Sequence, residues 1–469
     1  MNDHIEKPAV KPLRKRVLEY LFMFGFIIIN SALIINPWAG RFWRKEAVNY
    51  KDVMLIYFIF ALIIGSIYIV LSLTLLVKKS KVLENLTISI FIITLIILAD
   101  RVLLLFYGLP IWQHDPDIFF KQRPNQEKTW GYVIPVLDEW KNKLFTTNQY
   151  GYHDDNFTLD KPKDEFRGVM LGDSVVNGNG LTIRETIPSQ LENILKERDK
   201  KYKTYQVINT GVQGYSTYQY GRTLEDSLKF KPDFAALGFV ANDVIEPALF
   251  NYNFGGPGFD IFRQTIQSNN RFFGYLLNST GFGRLIIKKK TNADTWNKKV
   301  DENIKSLIYC SSHPPDDPVI KEAWEETFIE LENIQKIVKE KNIPYLLMIF
   351  PARFQLSSEQ NMFIQKTLIE YAQKNNIDYI DFTPYFEEAV LRGISGELRD
   401  KCGNISKAED LDQCVKNLDK EGLFEINLEI ENQLDRYYMD FLHYTPLGNE
   451  IISEGVFEYL EEKGLIKAE

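Results

Sequence analysis

Three apolar runs crowd the first 110 residues and set the strongest limit on how this chain can fold. They are Val17 to Asn36, Val53 to Val77 and Leu86 to Phe106. Each is long enough to cross a bilayer core as a helix, which takes about 20 apolar residues. The second carries no charge at all, which makes a buried soluble helix a poor account of it. The third contains Asp100-Arg101, so it either ends early at an interface or pairs those charges with a neighbour. Two further runs follow the first and no small-residue cleavage site stands out, so the first is not read as a removable signal.

Basic residues set the expected orientation. The leader holds Lys7, Lys11, Arg14, Lys15 and Arg16, and the second loop holds Lys78, Lys79 and Lys81. Both face the cytoplasm if the amino terminus lies inside, although Arg41, Arg44, Lys45 and Lys51 in the first loop pull the other way. Three spans then place everything after about Pro110 on the far side. A length of 469 residues calls for two to four units. The expected division is a membrane domain over 1–110, a linker packing on the soluble part over 111–164, and a catalytic-type domain over 165–469. A net charge of −8 gives no reason to expect nucleic acid as a partner.

From Phe166 onward, strand and helix patterns alternate. Strands are expected at Phe166–Leu171, Tyr205–Ile208, Phe234–Val240, Tyr345–Phe350 and Tyr379–Phe382. Ile320, Trp324, Phe328, Leu331 and Ile334 recur at helical spacing. This alternation predicts an α/β fold with a parallel sheet and helices on both sides. Two stretches are too long for plain connections, about 251–317 and 384–438, and read as a lid, a substrate wall or a partner surface. The second holds Cys402 and Cys414. In an exported domain these either pair, adding about 2–4 kcal/mol, or remain two free thiols. Cys310 is left over.

The chemistry centres on Gly168-Val-Met-Leu-Gly-Asp-Ser-Val-Val-Asn-Gly-Asn-Gly180, a buried strand running into a glycine-rich bend. Open α/β sheets place ligands at the carboxyl ends of strands, which suits Ser174 as a nucleophile. A serine hydroxyl needs a base and an oxyanion site. The chain has five histidines. His4 lies in the leader, His114 just past the third run, and His313 in a Pro-rich stretch. His153 reads as surface or structural rather than catalytic. His443 follows Asp440 by three residues, so the carboxylate can fold back onto the imidazole. Taken alone, that pair is also what a solvated loop looks like. Gly214 follows the second strand and Asn242 the third. The backbone N–H of Ser174 and of Gly214, with the Asn242 amide, are candidate oxyanion donors, although a lone glycine is more often only a turn residue.

Taken in order, Gly172-Asp173-Ser174, Asn209-Thr-Gly-Val-Gln-Gly214, Asn242-Asp243 and Asp440-Phe-Leu-His443 resemble the four sequence blocks of the SGNH (GDSL-type) hydrolases and acyltransferases, in the membrane-anchored bacterial form. The resemblance covers roughly Asn148 to Lys463. It implies a flavodoxin-like three-layer α/β/α sandwich of strand order 2-1-3-4-5. It also implies Ser174 as nucleophile, His443 as base, Asp440 as its orienting carboxylate, and Ser174, Gly214 and Asn242 as the oxyanion hole. Val240 departs from the usual glycine of the third block, and Val175-Val176 from the usual pair after the serine.

On this resemblance the expected activity is removal of O-acyl groups, acetyl foremost, from an envelope or secreted carbohydrate through an acyl-serine. The setting expected is the inner membrane of a bacterium, with the catalytic domain facing the periplasm or outside. An O-acyltransferase would use the same residues and need a separate integral-membrane acyl donor. A lipase or phospholipase acting on lipid esters and a silent glycan-binding module are lesser alternatives. No cofactor is expected, and sparse Cys and His without ligand spacing give no metal site. Tyr215, Tyr218, Tyr220, Phe272 and Phe273 are candidates for stacking on sugar rings or for ordinary packing.

Overall fold

The computed structural model describes residues 81–107, 111–115, 118–130, 140–244, 307–356, 362–394 and 420–467, with isolated positions elsewhere. Its chain divides into two compact units, Met1–Gly108 and Leu109–Glu469. The first two apolar runs lie outside the described residues apart from isolated positions, as do Cys402, Cys414 and most of the 251–317 stretch.

In the first unit, α1 (Lys81–Tyr107) contains the third apolar run. Its sequence is largely apolar, and Val82, Leu86, Ile92, Ile93 and Ile96 are exposed along it, while Asp100 is buried. Among the described residues, no helix is long and apolar enough to cross a membrane.

The second unit opens with two antiparallel pairs. One joins β1 (Trp112–Asp115) to β2 (Phe119–Gln122), and the other joins β3 (Glu127–Thr129) to β4 (Leu144–Thr146). Sequence reading treats this stretch as a linker and gives no sign of the strands, because each is only three or four residues long. It nevertheless buries Phe120, Trp130, Phe145 and His153. Tyr215 Oη donates to the Phe120 carbonyl at 2.9 Å, and Trp130 Nε1 donates to that of Leu181.

The main sheet has five strands: β5 (Glu165–Leu171), β6 (Thr204–Asn209), β7 (Phe234–Phe239), β8 (Tyr345–Ile349) and β9 (Asp378–Asp381). Every neighbouring pair is parallel, in the order β6-β5-β7-β8-β9. Successive side chains of a strand point to opposite faces, and this alternation divides the core in two. Phe166, Met170, Phe234, Ala236, Leu346 and Met348 face one cluster. Val169, Leu171, Ala235, Leu237, Leu347 and Ile349 face the other.

The first cluster is covered by α3 (Ile187–Arg198), α8 (Thr383–Gly393), α9 (Lys420–Tyr437) and α10 (Pro446–Glu462). The second is covered by α4 (Thr217–Ser227), α5 (Lys321–Lys341) and α7 (Phe363–Asn375). Two short helices, α2 (Ser174–Asn177) and α6 (Arg353–Leu356), follow the carboxyl ends of β5 and β8. The result is a three-layer α/β fold. The expected face of α5 packs inward through Trp324, Leu331 and Ile334, and Cys310 beside it is a buried free thiol whose pKa burial pushes up to about 12.

Candidate active site

The corner that holds Ser174 is built by local backbone geometry. β5 ends at Leu171, Gly172 carries the chain over, and Asp173 caps α2 by accepting the Val175 N–H at Oδ1, 2.9 Å away. Ser174 is therefore the first residue of a helix, where the N–H has no acceptor within the helix itself. Gly211, in the loop after β6, passes close beneath α2. A Cβ there would lie 2.5 Å from the Asn177 nitrogen, so the approach requires glycine. Asn177 secures the same contact by donating Nδ2–H to the Gly211 carbonyl at 2.9 Å.

His443 arrives from the other end of the chain. Between α9 and α10, Tyr438 and Tyr444 pair in a single antiparallel bridge, and the loop between them holds Asp440 and His443. The hydroxyls of both tyrosines donate to the Pro351 carbonyl, at 2.9 and 2.6 Å, just past β8. The Arg353 N–H donates to the Phe441 carbonyl at 3.0 Å. Inside the loop, Asp440 Oδ1 accepts the N–H groups of Leu442 and His443, each at 2.8 Å.

These two constructions meet. His443 Nε2 lies 2.8 Å from Ser174 Oγ, and Nδ1 lies 2.7 Å from Asp440 Oδ2. A carboxylate only accepts, so Nδ1 carries the proton, and the neutral ring offers Nε2 as acceptor to the serine hydroxyl. Burial on its own would lower the imidazole pKa, but the charge and hydrogen bond of Asp440, with a further contribution from Asp173, hold it above the ordinary value. Burial likewise raises Asp440, and the charge of His443 with the hydrogen bonds it receives overrides this, holding the carboxyl below its ordinary range. The Asp440 side chain keeps 38% of its surface exposed against 17% for His443.

The expected oxyanion donors stand around this line in different ways. Gly214 sits in the turn closed by the Tyr215 N–H on the Val212 carbonyl, with φ +76°, a conformation that favours glycine. Asn242, after β7, donates Nδ2–H to Asp173 Oδ2 at 2.9 Å. A carboxylate oxygen requires the amide nitrogen there. Asp243 closes its own turn, accepting the Val240 N–H at 2.8 Å and the Tyr220 hydroxyl. Val240 and the Val175-Val176 pair, where the chain departs from the blocks it resembles, are all buried in the core beneath the site.

The remaining histidines are not part of the line. His153 is fully buried, with Nδ1 at 2.6 Å from the Thr146 carbonyl and Nε2 at 3.2 Å from that of Leu181. Burial lowers its pKa, and the role is structural. His313 stacks on Tyr309 at 3.8 Å, His114 lies on β1, and His4 lies outside the described residues. Tyr215 and Tyr220 are core residues, which corrects their candidacy as sugar-stacking rings. The reason is that α4 and the loop before it turn these side chains onto the sheet. Phe272 and Phe273 lie outside the described residues. Sequence reading missed two polar residues. Asp173 ties Ser174 to Asn242. Asn209 joins Asp154, His153 and Gly211 by hydrogen bonds of 3.1, 3.3 and 3.0 Å. Their signal lay inside the blocks, as an acid beside the serine and an Asn two residues before a glycine. Among the described residues, no group of three or more His, Cys, Asp or Glu could hold a metal ion.

No family model matches the chain, and neither does any curated protein. Among solved structures the chain is similar to the acetyl xylan esterase AlAXEase, at 17% identity over 63% of this chain and 100% of that one, with a TM-score of 0.31. The esterase AlinE4, described as a member of the SGNH-hydrolase family, is 15% identical over 57% of this chain and 98% of its own, with a TM-score of 0.28. A catalytic mutant of Axe2, an acetylxylan esterase from Geobacillus stearothermophilus, is 14% identical over 62% and 93%, again with a TM-score of 0.28.

Proposed function

We propose that this chain is a membrane-anchored serine esterase that removes O-acyl groups, acetyl foremost, from an envelope or secreted carbohydrate. The observation that carries the reading is the continuous line from Ser174 Oγ through His443 to Asp440, with bonds of 2.8 and 2.7 Å. Ser174 Oγ attacks the acyl carbonyl as His443 Nε2 takes its proton. The carbonyl oxygen becomes an oxyanion facing the N–H groups of Ser174 and Gly214 and the side-chain amide of Asn242. Collapse expels the sugar oxygen, which receives the proton from His443 and leaves an acyl-serine. Water, deprotonated in turn by His443, attacks the ester; collapse releases the carboxylic acid and expels Ser174 Oγ, which takes the proton back from His443.

The exposed Val, Leu and Ile side chains along the described part of α1 support a lipid-facing tether. The setting that goes with it is the bacterial inner membrane, with the catalytic unit facing outward. The test is turnover of p-nitrophenyl acetate by the purified full chain in detergent, with and without a polysaccharide acceptor. Acetate release to water that is lost in Ser174→Ala supports the esterase. Turnover seen only with acceptor assigns an O-acyltransferase instead, and no turnover in either arm removes both readings.

A further inference from the structure

Asp173 is almost fully buried, yet three donors converge on its carboxylate. Oδ1 accepts the Val175 N–H at 2.9 Å. Oδ2 accepts Asn242 Nδ2–H at 2.9 Å and lies 3.2 Å from Ser174 Oγ. The serine hydroxyl therefore has one proton and two acceptors, His443 Nε2 at 2.8 Å and Asp173 Oδ2 at 3.2 Å. The two arrangements exclude one another. With a neutral imidazole, Oγ–H points to Nε2 and the oxygen is primed for attack. With an imidazolium, Nε2–H donates to Oγ and the hydroxyl proton must turn elsewhere, towards Oδ2.

We propose that Asp173 is a positioning residue that sets the resting state of the site, taking the Ser174 hydroxyl proton in hydrogen bond while His443 is charged and fixing the orientation of the Asn242 amide. The inference rests on the reading of Ser174 as nucleophile. The neighbouring charges are already committed. Asp440 holds the far side of the ring, Asp243 accepts from Tyr220 and Val240, and Arg353 pairs with Glu431 and Asp435. Tyr444 donates to Pro351, and Asp381 accepts from Thr383. Asp173 is thus the carboxylate on the serine side of the imidazole, and its charge adds to that of Asp440 in favouring the protonated ring.

The test is a titration of His443 by NMR in the full chain, labelled with ¹³C-histidine in detergent micelles. The signal is assigned among five histidines by its loss in His443→Gln. Asp173→Asn is expected to lower the midpoint by about one pH unit, the scale of a neighbouring charge at close range. The pH dependence of Ser174 labelling by a fluorophosphonate should move the same way. An unmoved midpoint overturns the proposal and leaves Asp173 as a helix cap. Asn242→Ala covers the case where Asp173→Asn does not fold. It keeps the charge, removes its donor and is expected to raise the midpoint, so a fall or no change also overturns the proposal. A midpoint that shifts as expected while Ser174 takes no label supports the link between Asp173 and His443 and removes the esterase reading.

Discussion

The two halves of the candidate site are positioned by opposite means. Ser174 is placed by its immediate chain: strand, glycine, capping aspartate and helix start lie within a few residues, and the corner is buried in the sheet. His443 lies 269 residues away and sits in a half-exposed loop held from outside by two tyrosine hydroxyls and a backbone bond to Phe441. The serine corner is therefore a property of short-range backbone geometry. The histidine loop is a property of tertiary contacts made one at a time. Errors in the first should be all-or-none, and errors in the second should be graded.

The largest effect is expected from removing a reacting group. Ser174→Ala and His443→Ala should each lower kcat for p-nitrophenyl acetate by about 10⁴-fold or more, and the double variant should lose little beyond that, since the groups act as one unit. Asp440→Asn should cost up to about 10⁴-fold by presenting the wrong hydrogen-bond partner to Nδ1. It also tests the pH dependence. On the proposed reading His443 acts as a base only when neutral, so its raised imidazole pKa places the acid limb of kcat/KM above the ordinary histidine value. Removing the Asp440 charge should slide that limb to lower pH, and a limb that stays put would detach the pair from catalysis. Gly211→Ala comes next. Its Cβ would press on the α2 backbone, so a fall in kcat accompanied by a loss of about 1–3 kcal/mol in stability is expected, read by turnover and thermal unfolding.

The same contrast explains what could be read from the sequence. The five main strands appear within a residue or so of their expected bounds; β5, β7 and β8 are buried and mostly apolar stretches, whereas the edge strand β9 is polar and only partly buried. Ser174 was legible because its determinants are contiguous. His443 was legible only because the chain has few histidines and one of them follows an aspartate at the right distance. Its supports were not legible, since nothing in Tyr438, Tyr444 or Pro351 indicates that two hydroxyls share one carbonyl. The short strands β1 to β4 were invisible because three or four residues show no periodicity. The burial of His153 and the hub at Asn209 depend on chain segments that meet only after folding.

The smallest effect, and the finest probe of the contrast, comes from the tyrosine pair. Tyr438 and Tyr444 both donate to the carbonyl of buried Pro351, and each is itself buried. Either change to Phe alone removes one hydrogen bond and leaves the carbonyl with the other, a loss of about 0.5–1.5 kcal/mol. The double change leaves that carbonyl without either donor, and a buried acceptor without a partner costs about 1–3 kcal/mol. The cycle should therefore be non-additive, with the double variant losing more than the sum of the single ones. Denaturant unfolding measures the stability side of the cycle. Turnover measures the other: each single variant should lower kcat only a few-fold while leaving the pH of the acid limb unchanged, because the charges around His443 are untouched. Additive stability losses with full activity would mean that the loop holds His443 in place without its anchor just past β8, and the division between a locally built serine corner and a remotely supported histidine loop would fail at that point.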